Sequence, residues 1–465
     1  MTWTRAHLRP VQAGAESPVN EQGERLSQID GYRGIWFTLG QFTEYGDKYS
    51  GGLGTYTAKH IPLAIYSPEV NKTFFVYGGT TGEDERHLLC MIGAFDHADN
   101  SVSKPVIVYD KEGVDDPHDN PSISIDAGGH IWVFVSGRGE GRPGLKFKSK
   151  KPYDICHFEK VTEETFTYPQ PWYNNETGFF HFFTKYTGLR ELYFETSKDG
   201  QSWSPESKLA SIKRTEDERA GHYQVSKQEG SKIGTFFNWH PDGDVNLRTN
   251  LYYIHTTDHG ATWTTVDGET VQIPVSELES NSLVLEYYSK GKRVYLKDVN
   301  FDAQGNPICL YITSTGHEPG PDNDPREWRI AYWNGEIWED HIITTSDHNY
   351  DMGSLFVDGA EWTLVAPSVN PPQLYGAGGE IEIIKSNDRG KSWQVFKQIT
   401  QNSSRNHNYV RRVVKGKAPF HFLWADGDPY EFSISKLYIG DLSGNVYELP
   451  YVMEEQSQVI IPVLK

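Results

Sequence analysis

Three short segments of this chain hold residues that could move protons. Asp115-Asp-Pro-His-Asp-Asn-Pro-Ser122 places one imidazole, His118, among carboxylates, which favour its charged form and raise its pKa into the range of a general base or acid. Gly221-His222-Tyr223-Gln224 sets a second imidazole beside a phenol. In an extended strand adjacent side chains face opposite ways, so one of that pair faces any common site. Ala58-Lys-His-Ile-Pro-Leu63 supplies a third imidazole, His60. Arg138, Arg190, Arg248 and Arg411 lie in or near strand-like segments, and a guanidinium pairs a carboxylate bidentately. With Gln170, Asn120 and Tyr409 as further polar contacts, the set suits an anionic, hydroxyl-rich ligand, an acidic sugar being the natural guest. Each of these residues can equally be a polar group bonded to its neighbours or to trapped water. His130, His181 and His421, in apolar or loop contexts, read as structural.

Residues spread over three hundred positions meet only if the chain repeats a unit around a common centre. Helical periodicity is almost absent, while strand-like runs recur, among them Thr73-Phe-Phe-Val-Tyr77, Ile131-Trp-Val-Phe-Val135 and Phe179-Phe-His-Phe-Phe183. Ser197-Lys-Asp-Gly-Gln-Ser-Trp203, Thr256-Thr-Asp-His-Gly-Ala-Thr-Trp263 and Ser386-Asn-Asp-Arg-Gly-Lys-Ser-Trp393 are versions of one turn, with Trp333-Asn-Gly-Glu-Ile-Trp338 a degenerate fourth. In each, an Asp can bond backbone donors, Gly permits positive φ, and Trp packs under the hairpin. Seven strand starts recur at intervals of roughly 50 to 80 residues, the scale of a four-stranded propeller blade. They lie near His60, His118, Gln170, His222 with Tyr223, Lys297 to Asn300, Asp351, and His407 to Tyr409. The expectation is an all-β, seven-bladed β-propeller whose first strands line a channel and whose functional residues ring one mouth. One domain would span 29–455, with polar tails at 1–28 and 456–465. The strand near Gly31-Tyr-Arg-Gly-Ile-Trp36 would share a blade with Leu437-Tyr-Ile-Gly-Asp-Leu442 and close the circle.

Composition narrows the partners. A net charge of -19, from 44 basic and 63 acidic residues, argues against nucleic acid and anionic membrane surfaces. Cys90, Cys156 and Cys309 are too scattered for a disulfide framework or a thiolate zinc site. No HExxH, EF-hand or phosphate-cradling loop appears. No cofactor is expected, although Asp298, Asn300 and Asp351 could hold a structural calcium or a water. No apolar run resembles a secretion signal, so a cytoplasmic location is expected, with secreted or periplasmic homologues plausible. The oligomeric state is open.

The three turns resemble the Asp-box, or BNR repeat, of sialidase-like propellers, which sits between the two outer strands of a blade. With Tyr49-Ser-Gly-Gly-Leu-Gly-Thr55, Asn71-Lys-Thr-Phe-Phe-Val-Tyr-Gly78, Tyr168-Pro-Gln-Pro-Trp172, Arg248-Thr-Asn-Leu-Tyr252 and Tyr350-Asp-Met-Gly-Ser-Leu355, the chain resembles the BNR-4 group of seven-bladed propellers. That group is similar to polysaccharide lyases that cut at an uronic acid, including ulvan lyases and rhamnose-glucuronate lyases. The resemblance implies β-elimination: Arg138, Arg190 or Arg248 neutralises the uronate, His118 or His222 takes the C5 proton, and Tyr223 or the other His protonates the leaving O4. Asp116-Pro-His118-Asp119-Asn120 fits the D-x-H-N of ulvan lyases, but the position of their later histidine falls near Ser136 to Arg138, which offers none. An α-L-rhamnosidase of the group uses one histidine on the opposite face, and His60 is the position matched to it. Glycoside hydrolysis and non-catalytic glycan binding are the alternatives.

Overall fold

The computed structural model describes residues 25–82, 85–369 and 371–463; most of the expected N-terminal tail therefore lies outside the described residues. Seven antiparallel blades succeed one another along the chain, six of them built from one contiguous stretch and the first completed by a strand from near the C-terminus. Their first strands are Ala64–Ser67, Pro121–Ile125, Thr167–Asn174, Gln224–Glu229, Arg293–Phe301, Ser354–Asp358 and Asn406–Lys417, and these line the axis of a seven-bladed propeller. Each blade buries both faces against its neighbours, which is why its inner strands read as continuous apolar runs rather than alternating ones. Phe74 and Val76 of the first blade meet Ile131 and Val133 of the second, and Phe75 and Tyr77 meet Phe420 and Leu423 of the seventh.

The Asp-box turns sit in hairpins after the third strand of a blade, as the spacing predicts. Asp199 accepts the amides of Gln201 and Ser202, both at 2.9 Å, and Asp388 accepts those of Lys391 and Ser392 at 3.1 and 2.9 Å. Gly200 adopts φ +75° against the face of Trp132, and the Trp203 indole donates to the Gly200 carbonyl at 2.9 Å. In the degenerate fourth turn Asn334 takes the place of Asp and accepts the amides of Glu336 and Ile337. His181 is buried, its Nδ1 2.8 Å from Glu195, whose carboxylate also holds the buried Lys146 at 2.7 Å. That charged pair lies under Trp203, with the ammonium 3.5 Å from the ring centre.

The ring closes differently from the expectation. Leu437–Gly440 belongs to the seventh blade, between Phe420–Gly427 and Val446–Glu448. Gly34–Thr38 instead joins Ser433–Ser435 and Ser50–Gly52 in a separate three-stranded sheet. Because the seventh blade finds all its strands in one stretch, it has no place for a borrowed one. Blade 1 meets blade 7 through Ile65 opposite Val414. Ser457–Val459, in the segment read as a tail, adds a strand to Ser101–Ser103 of blade 1. No helix among the described residues is long and apolar enough to cross a membrane.

Candidate active site

All seven first strands run in one sense, so the residues just before them gather at one mouth of the channel and those at their ends at the other. The far mouth opens into the larger cavity, about 1050 Å³, lined by residues such as Asn174, Lys227, Asn300, Asp358 and Arg412. The near mouth is a much smaller pocket, about 40 Å³, yet it holds the chemistry. Tyr49, Tyr56, Tyr168, Tyr223, Tyr295, Tyr350 and Tyr409 line it together with Lys59, His118, Arg248 and Lys297. Size does not select the site here; convergent ionisable groups do.

His118 stands on a single 3₁₀ turn, Pro117–Asp119, capped by Asp116, which accepts the His118 amide at 3.0 Å. The Asp116 carboxylate also takes Nδ1 of the ring at 2.5 Å. That bond puts the imidazole proton on Nδ1 and leaves Nε2 as an acceptor at the pocket. Arg142 holds the other carboxylate oxygen at 2.8 Å. Burial pushes the His118 pKa down by more than Asp116 holds it up, so the rise expected from the neighbouring carboxylates does not occur. Desolvation of the imidazolium outweighs the pairing.

Of the second pair, Tyr223 faces the pocket and His222 does not. His222 is fully buried, its Nδ1 2.9 Å from the Asn238 carbonyl while Nε2 accepts the Ile212 amide at 3.1 Å. With both nitrogens engaged and its pKa lowered to about 4 by burial, it has no proton to exchange with a ligand. Tyr223 lies among cations: Lys59 Nζ 4.8 Å from the ring centre, the Arg248 guanidinium 5.0 Å and the Arg190 guanidinium 5.9 Å. Burial alone would raise this phenol, but Arg190, Arg248, a hydrogen bond with Tyr168, and Arg138 outweigh it and bring it below the usual tyrosine value.

His60 is a further correction. Its Nδ1 accepts the Thr57 amide at 3.2 Å and its Nε2 lies 3.1 Å from the His118 carbonyl. It props the backbone of His118 at the near mouth, rather than standing on the opposite face. Gln170 is consumed as well, donating to the Gln224 carbonyl and accepting the Ser226 hydroxyl. Asn120 ties down the carbonyls of Leu53 and Tyr56 and so positions Tyr56 rather than reaching the pocket. Tyr409 does line the pocket, its ring 4.9 Å from that of Tyr56. Arg411 turns away from any ligand and clasps the carbonyls of Thr55, Thr57 and His60. Asp298 and Asn300 face Arg412, while Asp351 holds Ser346 and Gly378. No group of three or more metal-ligating side chains occurs among the described residues.

The arginines differ in what they leave free. Arg248 is spent partly on the Val245 carbonyl and the Tyr350 hydroxyl, both at 2.8 Å. Arg138 lies 3.7 Å from Asp116, and its buried Nη1 makes no hydrogen bond. Arg190 faces the rings of Tyr186 and Tyr223, and its buried Nε is unpartnered among the described residues. Sequence reasoning passed over most of the tyrosines, because a Tyr at a strand start reads as core. The available signal was repetition: Lys59, His118, Tyr168, Tyr223, Lys297 and Tyr409 lie in or near the first strands of six blades. Tyr168 and Tyr409 both adopt φ +57°, at irregularities in the pairing of their strands, and such bulges re-aim side chains.

Residues 75–346 match the BNR_4 model, described as a BNR repeat-containing family member. An ulvan lyase from Alteromonas sp. (strain LOR) is 24% identical over 255 residues, covering 48% of this chain and 52% of that protein. An ulvan lyase of the PL25 type from Pseudoalteromonas sp. (strain PLSV) is also 24% identical over 255 residues, covering 48% of this chain and 51% of its own. The chain thus spans about half the length of the curated relatives it matches. A solved PL25 ulvan lyase bound to -[GlcA(1-4)Rha3S]- superposes with a TM-score of 0.71 at 16% identity, covering 90% of this chain and 96% of that one. The seven blades, their Asp-boxes and a family match over more than half of the sequence agree: this chain belongs to the BNR repeat-containing family.

Proposed function

We propose that the chain is a polysaccharide lyase that cleaves an uronic-acid-containing glycan at a rhamnose-glucuronate linkage by β-elimination. The carrying observation is a carboxylate-oriented imidazole with a free Nε2 in one pocket with a phenol surrounded by guanidinium groups. Arg190, with Arg138, takes the uronate carboxylate and withdraws charge from it, making the C5 proton abstractable. His118, neutral because burial lowers its pKa, accepts that proton on Nε2, and Asp116 holds the imidazolium that forms. Electrons move from the C5–H bond into the C4–C5 double bond as the C4–O4 bond breaks. Tyr223, made more acidic by its cationic neighbours, gives its proton to the leaving O4. This chemistry uses the chain's own side chains and calls on no cofactor. The ulvan lyases that share the family and the fold support the reading, as does a cationic mouth on a chain of net charge -19.

Glycoside hydrolysis by the common route needs two carboxyl groups at the bond, and no Asp or Glu is among the residues lining the pocket. Digestion of rhamnose-glucuronate oligosaccharides, followed by ultraviolet absorbance and product mass, tests the proposal. An unsaturated uronate at the new non-reducing end is the expected result. Products heavier by one water, with no new absorbance, would replace elimination with hydrolysis. Arg190→Ala should slow cleavage of the free acid far more than of its methyl ester, which has no charge left to neutralise.

A further inference from the structure

The loop 137–143 brings two guanidinium groups to one carboxylate. Its neck is tight: the Arg138 amide donates to the Arg142 carbonyl at 2.6 Å, and a Cβ on Gly137 would come within 2.2 Å of that carbonyl oxygen, an approach only glycine allows. Both side chains reach Asp116 Oδ2, at unequal distances. Arg142 Nη2 donates to it at 2.8 Å and lies 3.3 Å from Asp119, whose other oxygen meets the Lys111 ammonium at 3.1 Å. Arg142 is thus fixed between two carboxylates. Arg138 Nη1 stands 3.7 Å from the same Oδ2 without a hydrogen bond, a separation at which charge acts but no directional bond holds. The remaining oxygen of Asp116 takes Nδ1 of His118. The base and one arm of the uronate clamp therefore share a counter-ion. Around the His118 turn stand Asp116 and Asp119 of the turn itself, Arg138 and Arg142 of the loop, His60 and Tyr56 from the segment before the first blade, and Tyr168 of the third. Burial does most to disfavour the imidazolium; Asp116 and Asp119 favour it, and Arg138 opposes it.

We propose that the uronate draws Arg138 away from Asp116 while Arg142 keeps that carboxylate in place, so that the bound substrate itself strengthens His118 as a base. The proposal rests on the preceding reading for the uronate it places against Arg138. Its direction follows from charge alone: a cation withdrawn from an imidazole, or cancelled by a carboxylate, favours a proton on the ring. Arg142, which touches Asp116 and not the substrate, is a positioning residue. Two pH profiles then part company. The acid limb of kcat/KM belongs to the free enzyme and that of kcat to the loaded one, so with a free uronate the kcat limb should lie at higher pH, by about one pH unit, both limbs staying below 6.5. With the methyl ester, which has no charge to draw Arg138, the two limbs should coincide.

Histidine-selective nuclear magnetic resonance tests the coupling without any turnover, with sodium glucuronate as the probe and His118→Gln to assign the signal. In wild type, saturating glucuronate should move the His118 titration midpoint up by about one pH unit. Arg138→Gln, at unchanged melting temperature, should already titrate at the higher value with no ligand present and move by less than half as much when glucuronate is added. Arg138→Lys, which keeps the charge, should restore the low midpoint of the free protein. Where Arg138→Gln melts early, Arg138→Met serves instead. Arg142→Gln frees Asp116 to follow Arg138, so the glucuronate shift should shrink and the Nδ1 proton signal broaden, and Arg142→Lys should recover both. A wild-type midpoint that glucuronate leaves in place overturns the coupling. So does a midpoint unmoved in folded, ligand-free Arg138→Gln, or a glucuronate shift of equal size with and without Arg138. The expected titrations with no elimination on any uronate glycan support the coupling and reject the lyase chemistry alone; elimination by an enzyme whose His118 titrates independently of Arg138 does the reverse.

Discussion

At the scale of single residues, the two histidines that the sequence presents as equals separate by what their nitrogens already do. His118→Ala should leave the fold intact and cut kcat by about 10² to 10⁴, the range for a lost general base. His222→Ala should leave turnover per folded molecule unchanged but cost about 1–3 kcal/mol, because the Ile212 amide and the Asn238 carbonyl lose their partner in a buried site. Denaturation midpoints measured beside steady-state kinetics check both, and a folded, fully active His118→Ala enzyme would remove that residue from the mechanism. The pH profile follows from the same environment. His118 must be neutral to accept a proton, and burial lowers its pKa; the acid limb of kcat should therefore fall below pH 6.5, and one lying well above that value would assign the limb to another group. Spacing showed that His118 sits among carboxylates. It could not show that the turn buries the ring deeply enough to reverse the sign of the shift.

At the scale of elements, the local devices were the legible ones. An Asp-box is closed by contacts within about eight residues, so its sequence carries its structure almost whole. Gly200 illustrates the cost of changing it: the residue holds φ +75°, and an added Cβ would come within 2.3 Å of the Trp132 ring. Gly200→Ala should lower stability by about 1–3 kcal/mol through backbone strain and overpacking and leave substrate preference untouched. A thermal-melting series with kinetics tests this, and a stable variant with altered specificity would tie the turn to the site. What spacing concealed was orientation within the first strands. Tyr168 and Tyr409 enter the pocket through positive φ at irregularities of pairing, and a one-residue irregularity exchanges the faces of every neighbour. For the same reason Gln170, two residues beyond Tyr168, binds the adjoining blade instead of a ligand.

At the scale of the whole molecule, the ring stores neutral imidazoles in places that water does not reach. Burial lowers His60, His222, His240 and His348 from the usual 6.5. The unfolded chain consequently binds more protons than the folded one as pH drops below 6.5. Stability that is fully present above that value is lost progressively towards pH 4. Chemical denaturation at pH 7 and pH 4.5 should show the midpoint falling, and an unchanged midpoint would contradict these buried neutral states. The closure of the ring has another consequence. The Arg25 guanidinium lies 3.2 Å from the Gln456 side chain, on the blade where Ser457–Val459 pairs with Ser101–Ser103, and the other six blades are each made of one contiguous stretch. The order in which the blades are synthesised is thus separable from the order in which they pack. A circular permutant beginning at Glu336 and ending at Gly335, in an exposed hairpin, with a flexible linker of roughly ten residues joining Val463 to Arg25, should fold to the same disc with the same pocket. Chain direction around the axis would be kept while the seam between first and last blade moved to the fifth, and loss of cooperative melting in that permutant would show that the native seam itself directs assembly.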